Sequence, residues 1–271
     1  MEDGLNMPES GNRWMRRSHP SASAFGRLIC FPHAGGSASY FYPVSAALSP
    51  SIEVLAVQYP GRQDRRNEKN IEDIGELADR AFEEVVPWCQ GPVALFGHSM
   101  GAIVAFEVAR RLERNSGVPL LALIVSGRRG PATHRTEAVH LRGSDGVAAE
   151  MRRLSGTSAV LLDDQELAEM VLPATLSDYK AIETYRYQPG PGLSCPILAL
   201  SGENDPLATR AEIEDWAQHT NGEFALELYP GGHFYLNDRP AEIIKKISDY
   251  LSSLRGDATG VHSGTVIPSG E

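Results

Sequence analysis

The chain has 271 residues, a formal net charge of −10 and 42% apolar residues, enough for one large α/β domain with a full core. No run of about 18 apolar residues occurs, which argues against a membrane span, and the acidic balance argues against nucleic-acid binding, which needs a basic face. Met1-Glu2-Asp3-Gly4 lacks the basic-then-apolar order of a signal peptide. Cys30, Cys89 and Cys195 are too few and too scattered for a disulfide framework or a metal cluster, so a cytoplasmic protein without metal or cofactor is expected.

Residues 1–24 are rich in Ser, Asn, Gly and Arg without periodicity and read as a flexible leader. A single domain is expected over 25–255, followed by a disordered Gly/Ser/Thr tail over 256–271. Arg27 to Phe31 reads as a buried strand that runs into the loop Pro32-His33-Ala34-Gly35-Gly36-Ser37, and a short helix is expected through Val44 to Leu48. Ile52 to Val57 is the next strand, ending at Tyr59-Pro60-Gly61-Arg62. Ile71, Ile74, Leu77, Ala78, Ala81, Phe82 and Val85 then mark an amphipathic helix by their three-and-four spacing.

Val93-Ala94-Leu95-Phe96-Gly97 is a further buried strand, and Ile103, Phe106, Val108 and Leu112 recur at helical intervals after it. Between the two lies Gly97-His98-Ser99-Met100-Gly101, the arrangement of a nucleophile elbow. Such a turn is tight enough that a side chain at either glycine would collide with its neighbours, and it holds the serine hydroxyl clear of the sheet at the positive end of a helix. Leu120 to Val125 reads as another strand. From about 130 to 192 only helical stretches are seen, Asp145 to Leu154 and Asp164 to Tyr185, which fits a helical lid over the carboxyl edge of the sheet. Strands resume at Pro196 to Ser201 and Phe224 to Tyr229, and Ile243, Ile244, Ile247, Tyr250, Leu251 and Leu254 give a closing helix. Strands alternating with helices predict a mostly parallel twisted sheet covered on both faces.

Open α/β sheets hold their ligands beyond the carboxyl ends of the strands. Ser99, Asp205 and His233 all fall there, in the chain order of the α/β-hydrolase arrangement. His233 would take the serine proton and later protonate the leaving group, and Asp205 would fix the imidazole tautomer. The backbone N–H groups of Ala34 and Met100 would hold the oxyanion. His219 on a predicted helix, His262 in the tail, and Asp215 and Asp238 near helices are not at strand ends. His98 is expected to point away from the substrate and bond locally. A serine at the elbow also argues against dehalogenase or epoxide-hydrolase chemistry, which needs a carboxylate there.

The run Leu28 to Gly36, with Tyr59-Pro60-Gly61-Arg62, Gly97 to Gly101, Ser201-Gly202-Glu203-Asn204-Asp205 and Gly231-Gly232-His233-Phe234, resembles the type II thioesterases over about residues 27–254. These are the free-standing editing enzymes of polyketide and nonribosomal peptide assembly lines. The resemblance implies an α/β-hydrolase fold and a substrate acyl group carried on the phosphopantetheine arm of an acyl or peptidyl carrier protein. It also implies hydrolysis of stalled or misprimed units by Ser99, Asp205 and His233, with Ala34 and Met100 as oxyanion donors. Leu154-Ser155-Gly156-Thr157 fits the family's lid. A monomer is expected. Carrier proteins are acidic, so docking on this acidic chain would need a local basic patch, for which Arg62, Arg65, Arg66, Arg128 or Arg129 are the candidates. The same triad could serve a chain-releasing enzyme or a general acyl-CoA or ester hydrolase, and a catalytically silent binding module is the non-enzymatic alternative.

Overall fold

The computed structural model describes residues 13–154, 162 and 164–258. Seven strands, β1 (Met15–Arg17), β2 (Gly26–Phe31), β3 (Ile52–Val57), β4 (Val93–His98), β5 (Ala122–Ser126), β6 (Ile197–Gly202) and β7 (Phe224–Tyr229), form one sheet in the order β1-β3-β2-β4-β5-β6-β7. β2 to β7 pair in parallel and β1 runs antiparallel to β3. The expected mostly parallel sheet is therefore present, with one reversed edge strand.

Both faces of the sheet are covered, and the sequence alternation decides which residues go to which face. On β4, Val93 and Leu95 join the core under α2 (Ile74–Val85) and α3 (Met100–Arg111), while Ala94 and Phe96 join the core under α1 (Tyr42–Leu48) and α8 (Pro240–Ala258). α2 starts at Ile74, after the expected Ile71, because the Asp73 side chain accepts the Glu76 N–H (2.8 Å) and caps the helix there. Its stripe Ile74, Leu77, Ala78, Ala81 and Val85 is buried against the sheet.

Between β5 and β6 no strand occurs among the described residues. α4 (Gly143–Leu154) and α5 (Gln165–Thr184) instead pack on each other through Val147, Met151, Leu172, Leu176 and Tyr179. Residues 155–157 of the Leu154-to-Thr157 stretch lie outside the described residues. Two short elements complete the chain, α6 (Arg210–Glu214) and α7 (Tyr235–Asp238).

The expected leader over 1–24 needs correction. Met15, Arg16 and Arg17 pair with Val57, Ala56 and Leu55, the Trp14 carbonyl accepts the Gln58 N–H (2.6 Å), and Trp14 and Met15 are buried. Polar composition hid a strand of three residues, because an edge strand needs few apolar contacts when its partner already offers a free ladder. At the other end, helix α8 passes the expected boundary at 255 and reaches Ala258. The rest of the expected tail, His262 included, lies outside the described residues.

Candidate active site

β4 delivers its chain to the rim of the sheet at His98, and α3 begins at Met100. Ser99, alone between them, has φ 56° and ψ −119°, a conformation that costs a non-glycine residue about 1–3 kcal/mol. The surroundings enforce it. A Cβ on Gly97 would lie 2.1 Å from the Gly101 carbonyl oxygen, and one on Gly101 would lie 2.1 Å from that of Phe31. The Ser99 N–H donates to the Ser126 carbonyl (2.8 Å), which ties the apex to β5.

Asp205 follows β6 and His233 follows β7, so parallel pairing brings both to the same rim. Ser99 Oγ lies 3.0 Å from His233 Nε2, and His233 Nδ1 lies 2.9 Å from Asp205 Oδ2. With a carboxylate beside Nδ1, that nitrogen carries the proton and donates, leaving Nε2 to accept from the serine hydroxyl. The second carboxylate oxygen, Asp205 Oδ1, accepts the Leu207 N–H (2.8 Å). All three side chains are buried.

Two further histidines crowd this one. His98 packs beside His233, ring centroids 5.0 Å apart, and its Nδ1 bonds Ser126 Oγ (2.9 Å), which in turn bonds Tyr235 Oη (2.7 Å). That is the local bonding expected of it. Burial pushes His33 down to about 3, helped by the proximity of His233 and Arg62, and burial likewise takes His98 well below its ordinary value. Both stay neutral near pH 7, so neither places a positive charge beside His233. Phe234 packs on all three rings at 5.0–5.3 Å. Its role as a spacer was invisible in the sequence.

Three consecutive N–H groups line the Ala34-Gly35-Gly36 loop, and two are committed. Gly35 donates to Asp178 Oδ2 (2.8 Å) and Gly36 to the His33 carbonyl (2.9 Å). Ala34 has no hydrogen-bond partner among the described residues, and Met100, as first residue of α3, has no acceptor within its own helix. Both residues line a cavity of about 270 Å³ together with Ser99 and His233. Its outer wall comes from Met151 and Leu154 of α4 and Tyr179 and Ile182 of α5. Chemically, the arrangement can activate a hydroxyl and receive a developing oxyanion at the positive end of a twelve-residue helix.

The other candidates sit elsewhere. His219 is buried against Phe106, Tyr187 and Trp216; Asp215 accepts a hydrogen bond from Thr133, and Asp238 lies on α7. The five arginines do not form the expected basic patch. Arg62, Arg65, Arg128 and Arg129 are buried, and of the five only Arg66 is exposed. Arg62 pairs with Asp178 of α5, while Arg65 pairs with Glu68 three residues on (2.6 Å) and Arg129 with Glu137 eight residues on (2.7 Å). Arg128 lines the cavity, where burial lowers it to about 10. No His, Cys, Asp and Glu cluster fit for a metal ion occurs among the described residues, and none of their helices is long and apolar enough to cross a membrane.

The sequence profile of the thioesterase domain family matches residues 26–251. The chain belongs to the thioesterase family. The thioesterase is 51% identical over 260 residues to "Thioesterase PikA5" of Streptomyces venezuelae, covering 95% of this chain and 92% of that one. It superposes with a TM-score of 0.83 on "the type II thioesterase BorB from the borrelidin biosynthetic cluster", at 51% identity, covering 88% of this chain and 97% of that one. YbtT, a type II thioesterase from the yersiniabactin NRPS/PKS biosynthetic pathway, gives a TM-score of 0.79 at 29% identity, covering 89% of this chain and 99% of that one. The thioesterase thus has the α/β-hydrolase fold and is a serine hydrolase acting on thioesters.

Proposed function

We propose that the thioesterase removes aberrant or stalled acyl units from the phosphopantetheine arms of acyl or peptidyl carrier proteins in polyketide or nonribosomal peptide biosynthesis. The observation that carries this reading is the hydrogen-bonded chain Ser99–His233–Asp205 at the floor of a walled cavity, in a fold shared with relatives named for biosynthetic clusters.

In this reading Ser99 Oγ attacks the thioester carbonyl as His233 Nε2 takes its proton. The tetrahedral oxyanion is held by the N–H groups of Ala34 and Met100 while Asp205 stabilises the imidazolium. The C–S bond breaks, and the departing sulfur takes the proton from His233. Water then attacks the acyl-serine with His233 again as base, giving the free acid and restoring the hydroxyl. Nothing in this sequence of steps calls for a cofactor. α4 and α5 serve as the lid over the acyl group, and the enzyme works as a monomer in the cytoplasm.

The test is turnover of one acyl chain on a carrier protein, on CoA and on a simple ester, with wild type and Ser99→Ala. The carrier-bound thioester is expected to give the highest kcat/KM, and Ser99→Ala to lose about 10⁴-fold or more. Equal kcat/KM on all three substrates would replace the carrier-specific reading with a general acyl-CoA or ester hydrolase.

A further inference from the structure

The loop that holds Ala34 is irregular, yet an oxyanion donor is useful only when its position is fixed before the charge develops. Something outside the loop has to fix it, and the contact runs to the wall of the acyl cavity. Asp178 Oδ2, on α5, accepts the Gly35 N–H (2.8 Å). The same oxygen accepts from Arg62 Nη2 of the loop after β3, whose Nη1 donates to the Pro60 carbonyl (2.6 Å). The two side chains are 1% and 5% exposed, so water does not compete for either. Burial pushes the Asp178 carboxyl up, opposed by Arg62 and the Gly35 N–H. One helical turn earlier, Thr175 lies flush on the loop, where a Cβ on Gly35 (φ +73°) would meet its Oγ1 at 2.5 Å. The Arg62 guanidinium lies 5.1 Å over the Tyr59 ring, and Tyr59 Oη donates to the Pro32 carbonyl (3.4 Å), closing a circuit around the loop.

We propose that Asp178 and Arg62 are positioning residues of the oxyanion hole, in which the carboxylate locks the Ala34–Gly35 peptide to α5 and the guanidinium holds that carboxylate in place. By consuming the Gly35 N–H, Asp178 also decides that Ala34 supplies the donor. Neither side chain touches the reacting atoms. The inference rests on the acyl-transfer role proposed for Ser99, Ala34 and Met100.

The experiment measures kcat and KM on hexanoyl-N-acetylcysteamine, and the rate at which a fluorophosphonate modifies Ser99, in Asp178→Ala, Asp178→Asn and Arg62→Lys. Melting curves confirm that each variant is folded at the assay temperature. Asp178→Ala is expected to lower kcat about 10- to 100-fold with KM changed less than about threefold, and to slow phosphonylation in proportion, since the phosphonyl oxygen uses the same hole. Asp178→Asn keeps an acceptor for the Gly35 N–H and is expected to recover most of the loss. Should Asp178→Ala fail to fold, Asp178→Asn and Arg62→Lys carry the comparison, each expected several-fold below wild type in kcat with KM held. Folded variants with wild-type kcat, or a rise in KM alone, would overturn the proposal. Hydrolysis of the same thioester by wild type, with Ser99→Ala as blank, tests the proposed activity separately.

Discussion

One imidazole bonded to a carboxylate, packed among two that burial keeps neutral near pH 7, bears on both catalysis and stability. Asp205 fixes the tautomer of His233 through one hydrogen bond of 2.9 Å, and its amide keeps the shape while losing the carboxylate. Asp205→Asn is expected to lower kcat by about 10⁴, measured on a short acyl thioester. His33 and His98 matter for stability. Above pH 6.5 neither state of the chain protonates them; below it the unfolded chain takes up protons that the folded protein, with His33 lowered to about 3, refuses. Stability is therefore lost as pH falls from about 6.5 toward about 3, at up to about 1.4 kcal/mol per pH unit for His33. Thermal melts across this range should show the decline, and His33→Gln should flatten it. The meeting of Ser99, Asp205 and His233 was legible in the sequence because each follows an apolar strand, and parallel strands share one carboxyl rim. Asp178 was not, since its partner Arg62 is 116 residues away and no spacing rule links a helix interior to a loop at that distance.

At the level of elements, the elbow was legible because its glycines answer a local requirement, and the structure gives that requirement a dimension. A methyl group on Gly101 would overlap the carbonyl oxygens of Phe31 and Pro32, at 2.1 and 2.6 Å, and backbone on both sides cannot yield cheaply. Gly101→Ala is expected to cost more than about 3 kcal/mol in chemical denaturation, by strain instead of lost contacts. The arginines show the opposite case. Read as a row, Arg62, Arg65 and Arg66 look like a solvated basic loop; in the fold Arg62 is drawn inward by Asp178 of α5, and Arg65 by the Trp14 ring and the Gln58 carbonyl. Charge patterning reveals a cluster's sign and spacing, but a partner such as Asp178, 116 residues from Arg62, is supplied by the tertiary fold. The expected helices over 130–192 were recovered as α4 and α5 because their apolar positions are dense enough to need each other.

For the molecule as a whole, a mostly parallel sheet with helices on both faces followed from the alternation of strands and helices, and the sheet's reversed edge strand was missed. β1 closes the β3 edge with three residues and brings Trp14 over the plane of Arg65, 4.5 Å from guanidinium to ring. Removing residues 1–18 is expected to cost roughly 3 kcal/mol in urea denaturation, from lost burial of Trp14 and Met15, and to promote aggregation through the bared β3 edge.

Sulfur chemistry sets a last condition on the fold. Every thioester cleaved sets free a thiol inside the protein's own cleft, and an enzyme with a reactive cysteine nearby would risk being tethered to its product under mild oxidation. Here Cys30 and Cys195 are buried and Cys89 is half-buried, with burial pushing Cys89 up to about 11 and Cys195 up to about 12. All three remain protonated at neutral pH and offer no thiolate for exchange or alkylation. Iodoacetamide at pH 7.5 should leave turnover intact, and oxidising conditions should leave enzyme and released thiol as separate species.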